Sequence, residues 1–368
     1  MRTVKLDPSD RAPDASRDEG VVLVWVALML VVLVGMGALV IDVGALYVER
    51  RELQNGADAA ALAVAQDCAE GDCGSGGGSV RAQQYANLNA NDGASALDPA
   101  TPCGVGPGLT GCSGGAPSGA TGWVRVDTST KTADGGDEVS FLLAPVISSL
   151  TGKTVTASAT AAWGPLRGAA TLPFTFSVCE FWNLVPAGVP DGTNFPEGNV
   201  VTVYSKAGGG PNNEIVPECD SRSPSGGTVE GGFGWLDPSG GSCSVKLTVG
   251  ATITGPGNPG NDNLLKKSPC SETLVRDKTV LLPLFSSVSG TGSKATYTIA
   301  GFTGFTIRAY RLSGSSYPSG FTCPQVPGGQ GGVGNLRCFQ GEFTRYYSDA
   351  GEFGESFDFG ARVIKMVG

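Results

Sequence analysis

The sequence predicts an α+β protein that is mainly β, with three parts in order. These are a long N-terminal transmembrane and stalk helix, a small strand-helix-strand unit, and a disulfide-linked antiparallel β domain. Three observations predict this class. The uncharged apolar run Val21–Ile41 is long enough to span a membrane. Gly and Pro, 57 and 23 residues, make up more than a fifth of the 368 positions. Short alternating apolar and polar segments recur between turn-rich stretches up to the C-terminus.

Composition excludes several classes of function. The chain has no His, so neither a Ser-His-Asp or Cys-His catalytic centre nor a His-ligated metal can form. A net charge of −9 disfavours nucleic acid as a partner. Short motif matches at Gly111–Gly115, Asp127–Thr130 and Gly152–Thr154 each lack a residue or flanking element that their chemistry needs. We therefore expect no catalytic site, no cofactor and no metal.

The N-terminal region is predicted to be a membrane anchor with a cytoplasmic tail. The run Val21–Ile41 holds 21 residues and would be about 31 Å long as a helix, the thickness of the hydrocarbon core. Arg50 and Arg51 closely follow the run, and four basic residues precede it: Arg2, Lys5, Arg11 and Arg17. This asymmetry predicts a cytoplasmic N-terminus. We assign residues 1–19 to the tail and 20–45 to a retained, single-pass signal anchor in the cell membrane.

The cysteines indicate where the rest of the chain lies. All ten follow the span, and an even number on one side of a membrane favours disulfides in an extracytoplasmic compartment. The disulfide candidates are Cys68, Cys73, Cys103, Cys112, Cys179, Cys219, Cys243, Cys270, Cys323 and Cys338.

Loop length predicts some of the pairs. Cys103–Cys112 and Cys323–Cys338 each close a short Gly- and Pro-rich loop at little entropic cost, so we expect both. Cys68–Cys73 is less favoured because its loop is short and lies at a helix end. The pairing of the other four stays open: Cys179, Cys219, Cys243 and Cys270.

The helix is expected to continue beyond the membrane as a stalk over residues 46–66. An apolar stripe steps by 7, 4, 3 and 4 residues, which places its members on one helical face: Leu46, Leu53, Ala57, Ala60 and Val64. The small side chains let a neighbour approach closely. That neighbour is either the protein's own head or a partner, and the sequence leaves both open.

Residues 67–164 are predicted to form a small α+β unit with Gly- and Cys-rich loops. We expect a helix over Val80–Ala90, a strand over Trp123–Asp127, a helix over Val139–Leu150 interrupted at Pro145, and a strand over Thr154–Thr160.

Residues 165–368 are predicted to form an extracytoplasmic β domain. In one strand, Phe305, Ile307 and Ala309 should face one way, and Thr306, Arg308 and Tyr310 the other. Gly-, Pro-, Asn- and Ser-rich turns favour an antiparallel sandwich or barrel. The candidate strands are Val200–Tyr204, Ser244–Ile253, Thr279–Phe285, Thr296–Tyr310, Cys338–Tyr347 and Ala361–Val367.

The block that follows the span resembles TadE/TadG-like proteins of the tight-adherence (Flp) pilus assembly machinery. Asp42-Val43-Gly44 and Leu53–Ala63 match the family's two motifs, with Gly56 at a variable place. Processed pilins carry Glu at the fifth position after the cleavage-site Gly. Here that position is Trp25, which favours a permanent anchor. The anchor is bounded by Val21 and Ile41, and the residues assigned to the family motif and helix packing are Asp42, Gly44, Leu53, Gln54, Asn55, Ala57, Asp58, Ala60, Leu62 and Val64.

Four C-terminal pieces are similar to long actinobacterial TadG-like members: Phe233–Asp237, Leu282–Phe285, Tyr297–Phe302 and Cys338–Phe343. The resemblance implies a non-enzymatic, membrane-anchored pilus-assembly or minor-pilin-like protein of a tight-adherence pilus or a related secretion system. Its expected partners are the lipid bilayer and, through the helix, other pilus or secretion components. Two alternatives remain: an independent envelope adhesin or surface-binding module on the same anchor, and an anchored glycan-cleaving enzyme that uses a carboxylate pair.

Overall fold

A computed structural model describes residues 19–367 of the chain. The exceptions within that range are 75, 185–194, 196–197, 205–218, 221–227, 230–231, 239–240, 256–262, 268, 290–294, 325–335 and 356. The predicted tail, apart from residue 19, therefore lies outside the described residues, as does the side chain of Cys219.

The described elements are four α-helices, two short 3₁₀ turns and twenty strands. The helices are α1 (Glu19–Glu70), α2 (Ser79–Asn89), α3 (Ala144–Ile147) and α4 (Val178–Trp182), and the 3₁₀ turns are Leu264–Lys266 and Glu272–Leu274. The strands are β1 (Ser95–Leu97), β2 (Cys103–Val105), β3 (Gly122–Thr130), β4 (Val139–Ser140), β5 (Gly152–Lys153), β6 (Thr156–Pro165), β7 (Gly168–Thr171), β8 (Phe174–Ser177), β9 (Val200–Tyr204), β10 (Cys219–Asp220), β11 (Thr228–Val229), β12 (Phe233–Trp235), β13 (Val245–Thr248), β14 (Thr252–Thr254), β15 (Thr279–Ser289), β16 (Thr296–Leu312), β17 (Ser315–Tyr317), β18 (Cys338–Thr344), β19 (Tyr346–Ser348) and β20 (Ala361–Met366).

Helix α1 joins the predicted anchor and stalk without a break. Its 52 residues make a rod about 78 Å long. The part from Val22 onward is long and apolar enough to cross a membrane. Large apolar side chains between Val22 and Ile41 are exposed, whereas the second half of the helix packs on the rest of the chain. The first half of this helix is therefore apolar and exposed, and the second half is packed against the head.

The first sheet has six strands and lies against α1. Its order is β1-β3-β6-β20-β19, with β2 also paired to β3. The strand β20, near the C-terminus, pairs antiparallel with β6, so that Val363 lies opposite Gly164. The boundary predicted between residues 164 and 165 is thus bridged by backbone hydrogen bonds. This pairing covers an edge of β6 that would otherwise be free.

The second sheet has eight strands and forms most of the outer head. Its order is β12-β8-β15-β16-β18-β9, with β14 and β17 also paired to β16. Its pairings are antiparallel except that β8 runs parallel to β15. An aromatic cluster fills its core, with five phenylalanines fully buried: Phe174, Phe176, Phe305, Phe339 and Phe343. The long β15–β16 hairpin provides the frame for this cluster.

The predicted long helix over Val139–Leu150 is wrong in extent. The segment forms β4, the single turn α3, and a return to β5, which pairs with β4. Pro145 lies in the first turn of α3 and does not interrupt a longer helix. A first-turn proline is favourable because its missing N–H would have no partner within the helix.

Two predicted strands are each divided in the structure. Ser244–Ile253 becomes β13 and β14, which turn at Gly250 (φ 81°) and pair with different neighbours, β7 and β16. Cys338–Tyr347 becomes β18 in the second sheet and β19 in the first. Local alternation does not reveal which sheet a strand will join.

The predicted orientation of Tyr310 is wrong. Tyr310 is fully buried in the same cluster as Phe305 and Ile307. The register with β18 shifts between Ile307 and Ala309, which leaves Arg308 as an extra residue. Such a bulge reverses the alternation beyond it.

The disulfides agree with the local pairs that loop length predicts. Cys103–Cys112 and Cys323–Cys338 are both formed, with Cα–Cα distances of 5.6 and 5.9 Å. The less favoured Cys68–Cys73 is formed as well, at 4.0 Å. Cys243–Cys270 accounts for one of the pairings left open. Cys179 is also disulfide-bonded.

Candidate functional site at the base of the head

The candidate site is the junction where α1 leaves the apolar span and enters the head. Leu53 is 3% exposed, and Ala57, Ala60 and Val64 are 0% exposed. All four lie on the stripe that the sequence predicts. Ala61 and Ala65 extend the buried face around the helix, so it is broader than a single row.

The protein's own head covers this face. Helix α2 and strands β3 and β6 pack on α1. The buried cluster joins the stripe to Ala82 of α2, to Val124 and Val126 of β3, and to Ala159 and Trp163 of β6. Of the two neighbours that the sequence left open, the one observed is the protein's own head. This face of α1 is therefore covered within the chain itself.

Gly56 lies at a close approach between α1 and α2 and was missed as a site residue. A Cβ at this position would lie 3.2 Å from the carbonyl oxygen of Ala86 and 3.3 Å from its Cα. Those atoms are backbone and cannot move independently. A glycine inside a helix makes the helix less stable by about 1 kcal/mol than an alanine would. A glycine within the predicted stalk helix was therefore the sequence signal that could have pointed to a close contact.

Polar residues of the motif fasten α1 to the sheet. The Gln54 side-chain amide donates hydrogen bonds to Asp58 Oδ1 at 2.8 Å and to the Ser158 carbonyl at 3.1 Å. Thr128 Oγ1 donates to the Leu53 carbonyl at 3.0 Å. Gln54 and Asp58 therefore act within the chain, where they fix the rotation of α1 against β6.

Other motif residues face away from the head. Asn55 is exposed, Leu62 is 36% exposed, and a Cβ added at Gly44 would have no atom of another element within 4 Å. Steps of eleven and seven residues place Gly44, Asn55 and Leu62 on one side of the helix. We call these three residues the outer face.

Asp42 joins the first turn after the span to a segment 100 residues away. Its side chain is buried at 7% exposure. The carboxylate accepts backbone N–H groups from Leu142 at 2.8 Å, Leu143 at 3.2 Å and Ala144 at 2.6 Å. These bonds compensate for removing a carboxylate from water beside an apolar rod. Sequence periodicity contains no signal for a contact over this separation.

The glycan-cleaving alternative would need a cleft that holds a pair of carboxylates, and the structure has a cleft of about 780 Å³. It is lined by Ser118, Arg167, Glu352, Glu355 and Lys365, among others. Both of these acidic side chains are exposed, and Glu352 pairs with Arg167 at 3.5 Å. Within the described part of the chain, no group of three or more Cys, Asp or Glu could hold a metal ion.

Comparison with known proteins relates the junction to one family. No curated protein and no solved structure matches the chain. Residues 20–67 match the family model described as "Putative Flp pilus-assembly TadE/G-like". The match covers the span and the stalk and does not reach the four C-terminal pieces, where the likeness to long actinobacterial members stays a prediction. The chain thus carries a TadE/G-like domain at residues 20–67, and this domain implies a Flp pilus-assembly protein.

Proposed function

We propose that the protein is a non-enzymatic, membrane-anchored assembly or minor-pilin-like component of a tight-adherence pilus or a related secretion system. One observation carries the proposal. A single helix runs from a bare apolar span through the TadE/G-like segment into a folded head. This arrangement suits a component that holds a rigid head at a membrane while its helix contacts other membrane components.

The proposed orientation places the N-terminus in the cytoplasm and the head outside. Four basic residues before the span and two closely after it support this orientation. Disulfides in the head support an oxidising compartment. A phosphatase fused after Gly122 should be active, and a reporter that functions in the cytoplasm should be inactive at the same position. The opposite pair of results would contradict the orientation.

The proposed partner contact lies on the parts of α1 that the head leaves uncovered. Lipid surrounds the span, and the outer face continues the exposed surface beyond it. Gly37 and Gly44, seven residues apart on this same side of the helix, have open space around them. Small residues on a membrane helix let a second helix approach closely. Helix-mediated contact with another pilus component is therefore supported along this side.

Complementation of a deletion strain tests the function. Deletion should remove surface pili, and the wild-type chain should restore them. Gly44→Leu adds bulk on the outer face and should reduce pilus number several-fold at an unchanged protein level. Ala45→Leu is the matched control, because Ala45 is also exposed but points about 100° away.

Three outcomes would count against the proposal. Normal pili in the deletion strain would contradict the assembly role. Normal pili with lost surface attachment would favour the independent adhesin. Equal effects of Gly44→Leu and Ala45→Leu would contradict the assignment of the outer face as the contact.

A further inference from the structure

The hairpin formed by β4, α3 and β5 extends from the head toward the membrane span. At the head, Thr128 bonds to Leu53 of α1, and Thr130 bonds to Val155. The intervening residues run along α1 until Leu142–Ala144 meet Asp42. Leu53 and Asp42 are eleven residues apart, so the hairpin descends about 16 Å along the helix axis.

The tip of the hairpin reaches the apolar run itself. Asp42 directly follows Ile41, the last residue of that run. One turn earlier, Ala38 is 6% exposed, although the large apolar residues around it are 51% exposed or more. Both α3 and β4 contact α1. The Asp42 hydrogen bonds place the tip beside the outer end of the span, and the burial of Ala38 agrees with that position.

This tip, residues 141–150, is apolar and uncharged. Leu142 is 71% exposed, Val146 is 79% exposed and Leu150 is 60% exposed. The sequence from 139 to 152 contains no charged residue, whereas Glu138 and Lys153 stand at its two ends. Three large apolar side chains in one short uncharged segment are unfavourable in water and favourable in lipid.

The backbone of the tip is also suited to a region without water. A peptide group in lipid has to find its hydrogen-bond partner within the protein. Seven N–H groups of the tip have such partners: Leu142, Leu143 and Ala144 at the Asp42 carboxylate, Phe141 at Thr151 O, Val146 at Leu143 O, Ser148 at Ala144 O, and Leu150 at Ser148 Oγ. Asp42 thus satisfies three peptide N–H groups beside the outer end of the apolar run.

We propose that residues 141–150 are a second membrane contact, which inserts Leu142, Val146 and Leu150 into the bilayer at its extracytoplasmic surface. The bilayer is the expected partner of these side chains because the tip lies beside the outer end of the span and extends its apolar surface. Two attachments, the span and the tip, fix both the tilt and the rotation of the head above the membrane. The inference rests on membrane anchoring by α1 and does not depend on a role in pilus assembly.

An environment-sensitive fluorophore on the full chain tests this contact. The fluorophore NBD is attached to the cysteine of a Leu142→Cys variant, and the labelled chain is placed in liposomes of phosphatidylcholine and phosphatidylglycerol. Leu88→Cys on α2 is the matched control, because Leu88 is also 71% exposed but lies on the head. NBD at 142 should emit several-fold more strongly, at a shorter wavelength, and be quenched by lipids with a nitroxide high on the acyl chain. NBD at 88 should show none of these effects.

The same measurement has outcomes that overturn the proposal. If position 142 behaves like position 88 in lipid alone, the tip does not enter the bilayer and a protein partner is the better occupant. If the signal at 142 disappears when each liposome holds one chain, the occupant is a second copy. Val146→Cys, at the most exposed of the three positions, provides an independent reading should labelling at 142 disturb the hairpin. Asp42→Ala should weaken the quenching at 142.

Discussion

The two cores of this molecule are built in opposite ways. In the second sheet, Phe174 and Phe339 stack at 5.1 Å, and Phe233 meets Phe339 edge-on at 5.0 Å. Between α1 and the first sheet, the buried residues are mostly alanines, and Gly56 lies against the backbone of Ala86. The aromatic core depends on side-chain volume, and the alanine core depends on how closely two backbones approach. The first should be sensitive to lost atoms and the second to added atoms.

The largest effect should come from removing volume in the aromatic core. Phe339→Ala deletes a ring that contacts several other aromatic rings, so unfolding should become easier by about 3–5 kcal/mol. Urea unfolding followed by Trp fluorescence in detergent measures this change. Leu274→Ala, at a position that is 37% exposed, is the control and should cost far less. Equal losses for the two variants would contradict the assignment of Phe339 to a packed core.

The aromatic core should also respond to pH. Glu180 lies in α4, next in sequence to Phe181 of this core, and burial raises its pKa from 4.5 to about 7, although the Gly232 N–H donates to it at 2.7 Å. Between these two pH values the folded state binds more protons than the unfolded state, so stability falls as pH rises. The loss should approach roughly 3 kcal/mol above pH 7. Glu180→Gln should remove this pH dependence, and an unchanged pH profile in that variant would assign it to another group.

A smaller loss of stability should follow when atoms are added to the alanine core. Ala60→Leu adds three carbons where α1 meets the head and should cost about 1–3 kcal/mol. Pilus number should fall in parallel, because the buried face serves the fold. Lost piliation with unchanged stability would instead identify this face as a partner site. Tolerance of the leucine would contradict the close packing altogether.

The smallest effect should lie on the outer face. Asn55 is exposed, so Asn55→Ala should change stability by no more than about 0.5 kcal/mol. Recovery of pilus complexes is measured for Asn55→Ala and for Ala60→Leu, five residues along the same helix, to separate folding from partner contact. Complex recovery should fall in Asn55→Ala only if the outer face binds a partner. A large loss of stability would show that this side is packed after all.

Sequence patterning predicted the features whose causes are local. The span, the stripe from Leu53 to Val64 and the short disulfide loops follow from periodicity or loop closure, and they need no knowledge of the rest of the fold. Most candidate strands were found for the same reason. The exposure of Asn55 also follows, because it occupies the opposite side of the helix from the stripe.

The missed features depend on distant parts of the chain. Asp42 hydrogen-bonds to a segment 100 residues later. Strand β20 pairs with β6, although the strands of the second sheet lie between the two in the sequence. Tyr310 turns inward because one extra residue at Arg308 shifts the register, which alternation alone does not reveal. Gly56 lay in a matched motif, but its role depends on a second helix whose position was unknown.

Hydrogen exchange of the full chain in lipid nanodiscs, with no other pilus protein present, tests the central claim most directly. The claim is that the buried side of the TadE/G-like segment packs on α2, β3 and β6 and forms part of the core of its own head. Amides of residues 53–69 should then exchange as slowly as those of β3 and β6, and Ala60→Leu should speed up all three together. Rapid exchange of 53–69 that slows only when other pilus components are added would contradict the claim, because the covering partner would then be another protein.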